Sequence, residues 1–136
     1  MSVTCQERIL VVEDEVDVAF VLKVRLEAAG YEVHTEGYGA TALSYATEHQ
    51  PDLVILDVKL PDVDGFEVCQ QLRVLYPRSD VAVLMFTGLE ATCDQLRGFA
   101  NGADAYLTKR CEPVELLKTV EELLEGGSDA FSAERI

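Results

Sequence analysis

Leu53-Val54-Ile55-Leu56-Asp57 is the stretch that decides the fold, because four apolar residues end abruptly on a carboxylate. Such a run, followed at once by a loop that contains Pro61 and Gly65, is typical of a short strand buried on both faces. A carboxylate at the end of a buried strand is costly to fold around unless a cation or a reaction uses it. Asp57 is therefore a candidate functional residue.

A second apolar run, Ile9-Leu10-Val11-Val12, also ends in acids, Glu13 and Asp14. Apolar and β-branched residues predict strands at five places, namely residues 8–12, 32–35, 53–56, 81–86 and 104–107. Strands one, three and four are almost continuously apolar, as expected for parallel strands covered on both faces.

The stretches between the strands have helical periodicity or helix-ending residues. Five helices are predicted. Three are identified by apolar stripes: the first by Val18, Leu22, Leu26 and Ala29, the third by Phe66, Cys69, Leu72 and Tyr76, and the fifth, which begins near Pro113, by Val114, Leu117, Val120 and Leu124 facing inward. The second and fourth helices cover residues 39–49 and 91–100. Alternating strands and helices give an α/β fold, with a parallel sheet between two helical layers.

Chemistry in such sheets takes place beyond the carboxyl ends of the strands. Asp57, Glu13 and Asp14 fall at that edge, together with Thr87 after the fourth strand and Lys109 after the fifth. Three neighbouring carboxylates repel one another, and a hard cation such as Mg²⁺ relieves the repulsion. With a lysine and a hydroxyl nearby, the set predicts phosphoryl transfer onto Asp57.

Each of these residues has a simpler explanation when it is taken singly. Asp57 would be a turn residue, Thr87 would satisfy a backbone group, and Lys109 would form a surface ion pair of little value. Tyr106 would be a half-buried strand residue. Their coincidence at the ends of four strands favours a common site.

Composition limits the class of protein. The chain has 136 residues and a net charge of −14, which argues against direct binding to nucleic acid because phosphate contacts need a basic surface. No apolar run approaches the roughly 18–20 residues that span a bilayer, and the N-terminus lacks a signal pattern. We therefore expect a cytoplasmic protein that does not enter a membrane.

The four cysteines form no CxxC pair and no cluster with histidine, so we expect free thiols. Cys111 follows Lys109 and Arg110, which would favour its thiolate, but an inert loop thiol is the better interpretation.

With these motifs in order, the chain resembles the receiver domain of two-component response regulators over residues 7–125, and residues 126–136 are expected to form a linker or disordered tail. The resemblance implies a flavodoxin-like three-layer sandwich, with a five-stranded parallel sheet in the order 2-1-3-4-5 and five helices. The motifs that carry it are Ile9-Leu10-Val11-Val12-Glu13-Asp14-Glu15, Asp52-Leu53-Val54-Ile55-Leu56-Asp57, Leu60-Pro61-Asp62-Val63-Asp64-Gly65, Phe86-Thr87-Gly88 and Gly102-Ala103-Asp104-Ala105-Tyr106-Leu107-Thr108-Lys109.

The resemblance also implies a function. A phosphohistidine on a histidine kinase or a histidine phosphotransfer protein would donate its phosphoryl group to this domain. The domain would be a signalling module that catalyses only its own phosphorylation and dephosphorylation. The implied roles are phosphoacceptor for Asp57, Mg²⁺ ligands for Glu13, Asp14, Asp57 and the backbone carbonyl of Lys59, phosphoryl contacts for Thr87 and Lys109, and a switch formed by Thr87 and Tyr106. Phosphorylation would then alter the face formed by the fourth helix, the fifth strand and the fifth helix, and so control an output domain or effector protein.

One feature departs from the family pattern. Receivers typically have a proline after the lysine, in a cis peptide, whereas Lys109 is followed by Arg110. A cis bond before a residue other than proline costs about 2.5–4 kcal/mol, so we expect a trans bond here. We also expect the loop that enters the last helix to be displaced, which leaves open how accurately Lys109 points at Asp57.

Lys59 and Leu89 are a second point of interest. Neither side chain can orient a water as an amide would, which leads to the hypothesis that a phosphate on Asp57 is long-lived. The alternative is that Lys59 is simply solvated.

Two other functions remain open from the sequence. A degenerate receiver would act as a phosphorylation-independent binding module, and a small phosphatase would require turnover and a substrate pocket. The sequence also leaves open whether the natural chain continues past Ile136 into an output domain and whether the last two helices form a homodimer.

Overall fold

The computed structural model describes residues 6–126. In this part of the chain, five strands and five helices alternate without exception. They are β1 (Arg8–Val12), α1 (Val16–Ala28), β2 (Glu32–Glu36), α2 (Gly39–His49), β3 (Leu53–Leu56), α3 (Gly65–Leu75), β4 (Ala82–Thr87), α4 (Thr92–Ala100), β5 (Ala105–Thr108) and α5 (Pro113–Gly126).

The strands form one parallel sheet in the order β2-β1-β3-β4-β5, which confirms the predicted fold. The chain leaves β1 for β2 on one side and then returns to build β3, β4 and β5 on the other. Val12 is level with Glu36 on one side and with Leu56 on the other. The carboxyl ends of β1 and β3 therefore lie side by side at the switch point, where ligands bind in such sheets.

The core is divided between the two faces of the sheet, because successive side chains of a strand point to opposite sides. Leu10 and Val12 join the cluster under α2 and α3, whereas Ile9 and Val11 join the cluster under α1 and α5. Aliphatic residues make up most of both clusters.

The buried face of α5 differs from the prediction. Val114 was expected to face inward, but it is 72% exposed, whereas Leu116 is 2% exposed and Val120 is fully buried. Leu117 and Leu124 pack at the margin of this face. Val120 of the predicted stripe is therefore buried as expected, but Leu116, which the prediction did not include, takes the inward position expected of Val114.

The end of α1 gives a smaller correction of the same kind. Leu22 and Leu26 are buried as predicted, but Ala29 is exposed because it lies at the C-cap, after the helical stripe has ended. Ala19 takes its place in the buried face.

The loop after β3 is tied to the start of α2 by Asp62. Its carboxylate accepts hydrogen bonds from the backbone N–H groups of Gly39 and Ala40, at 2.8 and 3.0 Å. Backbone donors at a helix N-terminus stabilise a carboxylate, so they lower the pKa of Asp62 below its ordinary value. Asp62 thus caps a helix from a different part of the chain and holds the loop that follows Asp57.

The predicted tail, residues 126–136, and the predicted free thiol of Cys5 lie at the ends of the described part of the chain. Gly126, the first residue of the predicted tail, ends α5, and residues 127–136 lie outside the described residues, as does Cys5. Between residues 6 and 126, no helix is both long enough and apolar enough to cross a membrane.

The register of α5 can be tested with Leu116→Ala and Val114→Ala. Truncating buried Leu116 should lower the free energy of unfolding by about 2–5 kcal/mol, because it removes buried apolar surface and leaves a cavity. Truncating exposed Val114 should change it by about 0.5 kcal/mol or less. Urea unfolding measures both, and equal effects would contradict the register.

The cap formed by Asp62 predicts a pH dependence. A carboxylate whose pKa is lowered on folding contributes stability above its ordinary pKa of 3.8, and this contribution is lost as the pH falls through the lower folded value. Asp62→Ala should therefore be less stable than wild type at neutral pH, and the difference should vanish in strong acid.

Urea unfolding midpoints measured from neutral to acidic pH would show this convergence. Asp80→Ala is the matched control, because Asp80 is also an exposed loop aspartate and its side chain makes no hydrogen bond or ion pair within residues 6–126. A difference between Asp62→Ala and wild type that persists unchanged into strong acid would exclude the cap.

Candidate functional site

Backbone hydrogen bonds continue the sheet by one residue past the ends of the strands and so position the candidate residues. The N–H of Asp57 donates to the carbonyl of Val12 at 3.1 Å, and the N–H of Glu13 donates to the carbonyl of Glu36 at 2.9 Å. The backbone of both residues is therefore held in place by hydrogen bonds that extend the sheet.

The structure brings the three predicted carboxylates together. Glu13, Asp14 and Asp57 each offer an oxygen within 4.8 Å of the others. Glu13 and Asp57 are both 4% exposed, whereas Asp14 is exposed to solvent. The cluster is therefore a pocket of negative charge that is buried on one side and open on the other.

Lys109 supplies the counter-charge within this cluster. Its Nζ lies 2.9 Å from Oδ2 of Asp57 and 2.8 Å from Oε1 of Glu13. Burial by itself lowers the pKa of Lys109, but the two neighbouring carboxylates outweigh burial and hold that pKa well above its ordinary value. The lysine is therefore firmly protonated.

The change after Lys109 leaves its side chain pointing at Asp57. No cis peptide occurs within residues 6–126, so the 109–110 bond is trans as predicted. The N–H of Lys109 nevertheless donates to the carbonyl of Thr87 at 2.9 Å, and a turn closes behind it with a hydrogen bond from Cys111 to Thr108. The sheet ladder, and not the next peptide bond, directs the lysine to Asp57.

The donor set fits a hard divalent cation. Burial, the largest cause, raises the pKa of Glu13, and Lys109 only partly opposes it. The Oε1 atom of Glu13 is buried and, among residues 6–126, has no well-aligned hydrogen-bond donor although Lys109 lies near. Carboxylate oxygens are hard ligands of the kind that bind Mg²⁺ in proteins, and such an oxygen is available here.

Glu15 is a fourth carboxylate at this site, and the sequence analysis assigned it no contact. Its Oε1 lies 3.5 Å from Nζ of Lys109, and its N–H donates to Oε2 of Glu13 at 3.1 Å. The signal was present, since Glu15 continues the acidic run Glu13-Asp14. Its side chain is largely exposed, so it adds a weaker, screened charge.

The loop after Asp57 returns closely to the end of β3 through Gly65. A Cβ at Gly65 would lie 2.1 Å from the carbonyl oxygen of Asp57, so no other residue fits this position. The N–H of Gly65 donates to the carbonyl of Val58 at 2.8 Å. Asp64 caps α3 beside it, with its carboxylate accepting from the N–H of Phe66 at 2.7 Å.

Lys59 lies within this loop. Its N–H is 3.4 Å from Oδ1 of Asp57, a long contact, and its side chain is exposed. Lys59 and Leu89 both line an open groove of about 530 Å³ between the loop and α4. The two residues that were singled out for phosphate lifetime therefore flank one groove beside the loop that follows Asp57.

Thr87, Leu89 and Tyr106 are linked by hydrogen bonds. Thr87 is buried at the end of β4, and its Oγ1 accepts a long hydrogen bond of 3.4 Å from the N–H of Leu89. The hydroxyl of Tyr106 donates to the carbonyl of Leu89 at 2.9 Å. Burial, with the nearby charges of Asp94 and Asp57, raises the pKa of Tyr106 to about 12.

Cys111 is not an activated thiol. Burial is the largest cause that raises its pKa, and Glu115 and Glu112 add to it, whereas the sequence had suggested that Lys109 and Arg110 might favour the thiolate. The interpretation as an inert loop thiol agrees with this environment.

The chain is similar to known proteins both in sequence and in fold. The profile of the response regulator receiver domain matches residues 9–121. The chain is 43% identical over 117 residues to the DNA-binding dual master transcriptional regulator RpaA of Synechocystis, a match that covers 86% of this chain and 48% of that protein. It is 40% identical over 121 residues to the alkaline phosphatase synthesis transcriptional regulatory protein PhoP of Bacillus subtilis, covering 87% and 48%.

The chain thus spans about half the length of the curated relatives that it matches. Among solved structures, a CheY-like response regulator receiver domain protein from Methanospirillum hungatei superposes with a TM-score of 0.84 at 30% identity, covering 89% of this chain and 95% of the other. With the sheet order, the acidic cluster and the sequence match in agreement, the chain belongs to the response regulator receiver domain family.

Proposed function

We propose that Asp57 accepts a phosphoryl group from a phosphohistidine of a histidine kinase or a histidine phosphotransfer protein. The proposal depends on the contact of Lys109 with both Asp57 and Glu13, because this contact places an ammonium group beside the buried carboxylate of Asp57. A buried carboxylate that is held beside a cation at a sheet edge is suited to act as a nucleophile.

Glu13, Asp14 and Asp57, with the backbone carbonyl of Lys59, would hold a Mg²⁺ ion. When bound, the ion neutralises charge on the phosphoryl oxygens during transfer. The buried oxygen of Glu13 supports this ligand set from the protein side. Asp14 completes the set at the solvent-facing side, where an ion with its waters can enter.

The transfer itself forms a bond between a carboxylate oxygen of Asp57 and phosphorus, while the bond from phosphorus to the histidine nitrogen breaks. Lys109 lies 2.9 Å from one oxygen of Asp57, so its ammonium group is placed to balance the charge of the incoming group. The hydroxyl of Thr87 is free to donate to a phosphoryl oxygen, because within residues 6–126 its only hydrogen-bond partner is the N–H of Leu89, which donates to it at 3.4 Å.

The output would follow from a population shift. A phosphoryl group carries about −1.5 to −2 charge and offers three acceptor oxygens, which would draw Thr87 towards Asp57. Tyr106 would fill the space that Thr87 leaves, and α4, β5 and α5 would then present an altered face. This face already exposes apolar side chains, namely Leu96, Phe99 and Val114.

Helix α1, which follows Glu13-Asp14-Glu15, has a surface that would suit contact with a protein that donates the phosphoryl group. Val16, Phe20, Val21 and Val24 of α1 are all more than 40% exposed. Such a stripe next to the phosphoacceptor is a suitable contact for a kinase or a phosphotransfer protein, because apolar surface clusters at protein interfaces.

A phosphorylation-independent binding module has less support. The sequence feature that favoured it was the altered loop after Lys109, but that loop leaves the lysine in contact with Asp57. We therefore propose a signalling domain that catalyses only its own phosphorylation and dephosphorylation. Control of an output domain, a homodimer through α4 and α5 and a cytoplasmic location remain proposals.

Incubation with acetyl phosphate and Mg²⁺ should add one phosphoryl group to the wild-type chain. Asp57→Asn should acquire none, because an amide oxygen is a poor nucleophile, and intact mass spectrometry would show the difference. Removal of Mg²⁺ with a chelator should suppress the label. Asp80→Asn, at an exposed loop aspartate, should be labelled as wild type is; equal labelling of Asp57→Asn would exclude Asp57 as acceptor.

Lys59→Asn tests the proposed lifetime of the phosphate. An amide at this position would orient a water towards phosphorus, so the autodephosphorylation rate should rise by about tenfold, or roughly 1.4 kcal/mol of barrier. Loss of label over time is measured after the phosphodonor is removed. Lys59→Met removes the charge without adding an amide and should leave the rate near that of wild type; an unchanged rate in Lys59→Asn would refute the hypothesis.

A further inference from the structure

Gly98 is the one residue of α4 that is buried, and it lies inside the helix. Glycine is a poor choice for a helix interior, because its backbone loses more entropy on folding than that of alanine. A buried glycine in a helix therefore needs a reason in the packing around it.

The reason here is the ring of Tyr106. A Cβ at position 98 would lie 3.0 Å from Cδ2 and 3.3 Å from Cε2 of that ring, and 3.5 Å from Cγ of Met85. The last distance is an ordinary contact, but the first is tighter than side chains normally accept. The ring lies directly against the backbone of α4, in a space that any side chain at position 98 would enter.

The ring is held on its other sides. Tyr106 is level with Met85 in the sheet, and its hydroxyl donates to the carbonyl of Leu89 at 2.9 Å. It therefore spans from β5, across α4, to the loop after β4. A small shift of the ring would lengthen or break its hydrogen bond.

α4 also has contacts with α3, so moving it away from the ring would disturb them. Arg97, in the last turn of α4, lies 4.5 Å above the ring of Phe66 and 3.6 Å from Asp64. Just beyond the same end of the helix, Nε of Arg73 donates to the carbonyl of Gly102 at 2.8 Å. Both contacts tie α4 and the turn after it to α3 and its cap.

We propose that Gly98 is a positioning residue for Tyr106: its missing side chain creates the space that holds the ring half-buried against α4, with the hydroxyl on Leu89. The size of residue 98 then sets the balance between this position and one displaced towards solvent. The consequence for signalling rests on the proposed function, since Tyr106 matters as a switch only if Asp57 is phosphorylated. The geometric part does not depend on it.

Gly98→Ala tests the proposal in the unphosphorylated protein. With 3-fluorotyrosine incorporated, the five tyrosines give separate ¹⁹F signals, and Tyr106→Phe assigns the one from Tyr106. In Gly98→Ala this signal should move towards the shift of a solvent-exposed tyrosine, while the other four stay in place. A Tyr106 signal that does not move would overturn the proposal.

Helix propensity must be separated from the contact with the ring, because alanine favours any helix over glycine. A double-mutant cycle with Tyr106→Ala does this. In the Tyr106→Ala background, Gly98→Ala should raise the urea midpoint, since no ring is there to be displaced. In the wild-type background the rise should be smaller or reversed, and an equal rise in both backgrounds would overturn the proposal.

Labelling with acetyl phosphate keeps this proposal distinct from the proposed function. Gly98→Ala should take up the label on Asp57 to the same extent as wild type, because residue 98 does not touch the acidic cluster. Failure of wild type itself to take the label would overturn the proposed function, whereas a stationary ¹⁹F signal in a normally labelled Gly98→Ala would overturn the role of Gly98 alone.

Discussion

The contact of one lysine with carboxylates from two different strands is the interaction on which the site depends. Glu13 and Asp57 are buried at the ends of β1 and β3, and Lys109 reaches both from the end of β5. Breaking a buried ion pair by removing one partner typically costs about 3–5 kcal/mol, because the remaining charge stays in a poorly solvated place. The strand order makes this arrangement available, since it sets β1 beside β3 at the centre of the sheet and brings β5 within reach through β4.

The residues that hold charge and those that would move are fixed to different degrees. Asp57, Glu13 and Lys109 are each held by a backbone hydrogen bond of about 3 Å that extends the sheet. Thr87, Leu89 and Tyr106 are linked instead by one hydroxyl and one long contact of 3.4 Å. A change at Asp57 should therefore move Glu13 and Lys109 little, and should move Thr87, Leu89 and Tyr106 more easily. Packed elements of this kind shift between discrete arrangements, and α4 and β5 lie beside the residues that are held less firmly.

Much of this was predictable from the sequence, for a physical reason that differs from element to element. Apolar runs such as Leu53–Leu56 predicted the strands because a parallel sheet is covered on both faces. Acids just after those runs predicted the site, because parallel strands end at a common edge. The buried face of α5 was not predictable, since Val114 and Leu116 both fit a helical stripe. The accuracy with which Lys109 points at Asp57 was left open, and a hydrogen bond to Thr87 determines it. The role of Gly98 was not predictable either, because it depends on a ring that arrives from β5.

The charge balance of the site explains why its phosphorylated state would be both attainable and temporary. Among the residues that the structure describes, 6–126, Lys109 is the one ammonium that faces Glu13, Glu15 and Asp57 together. A phosphoryl group on Asp57 would carry about −1.5 to −2 charge in place of the carboxylate, and a single lysine would not offset it together with Glu13 and Glu15. The proposed cation at the acidic cluster would offset part of this charge. The lifetime of the phosphate would then depend on how water reaches phosphorus past Lys59 and Leu89, the two side chains that flank the groove. Side chains beside the charged cluster would thus influence how long the signal lasts.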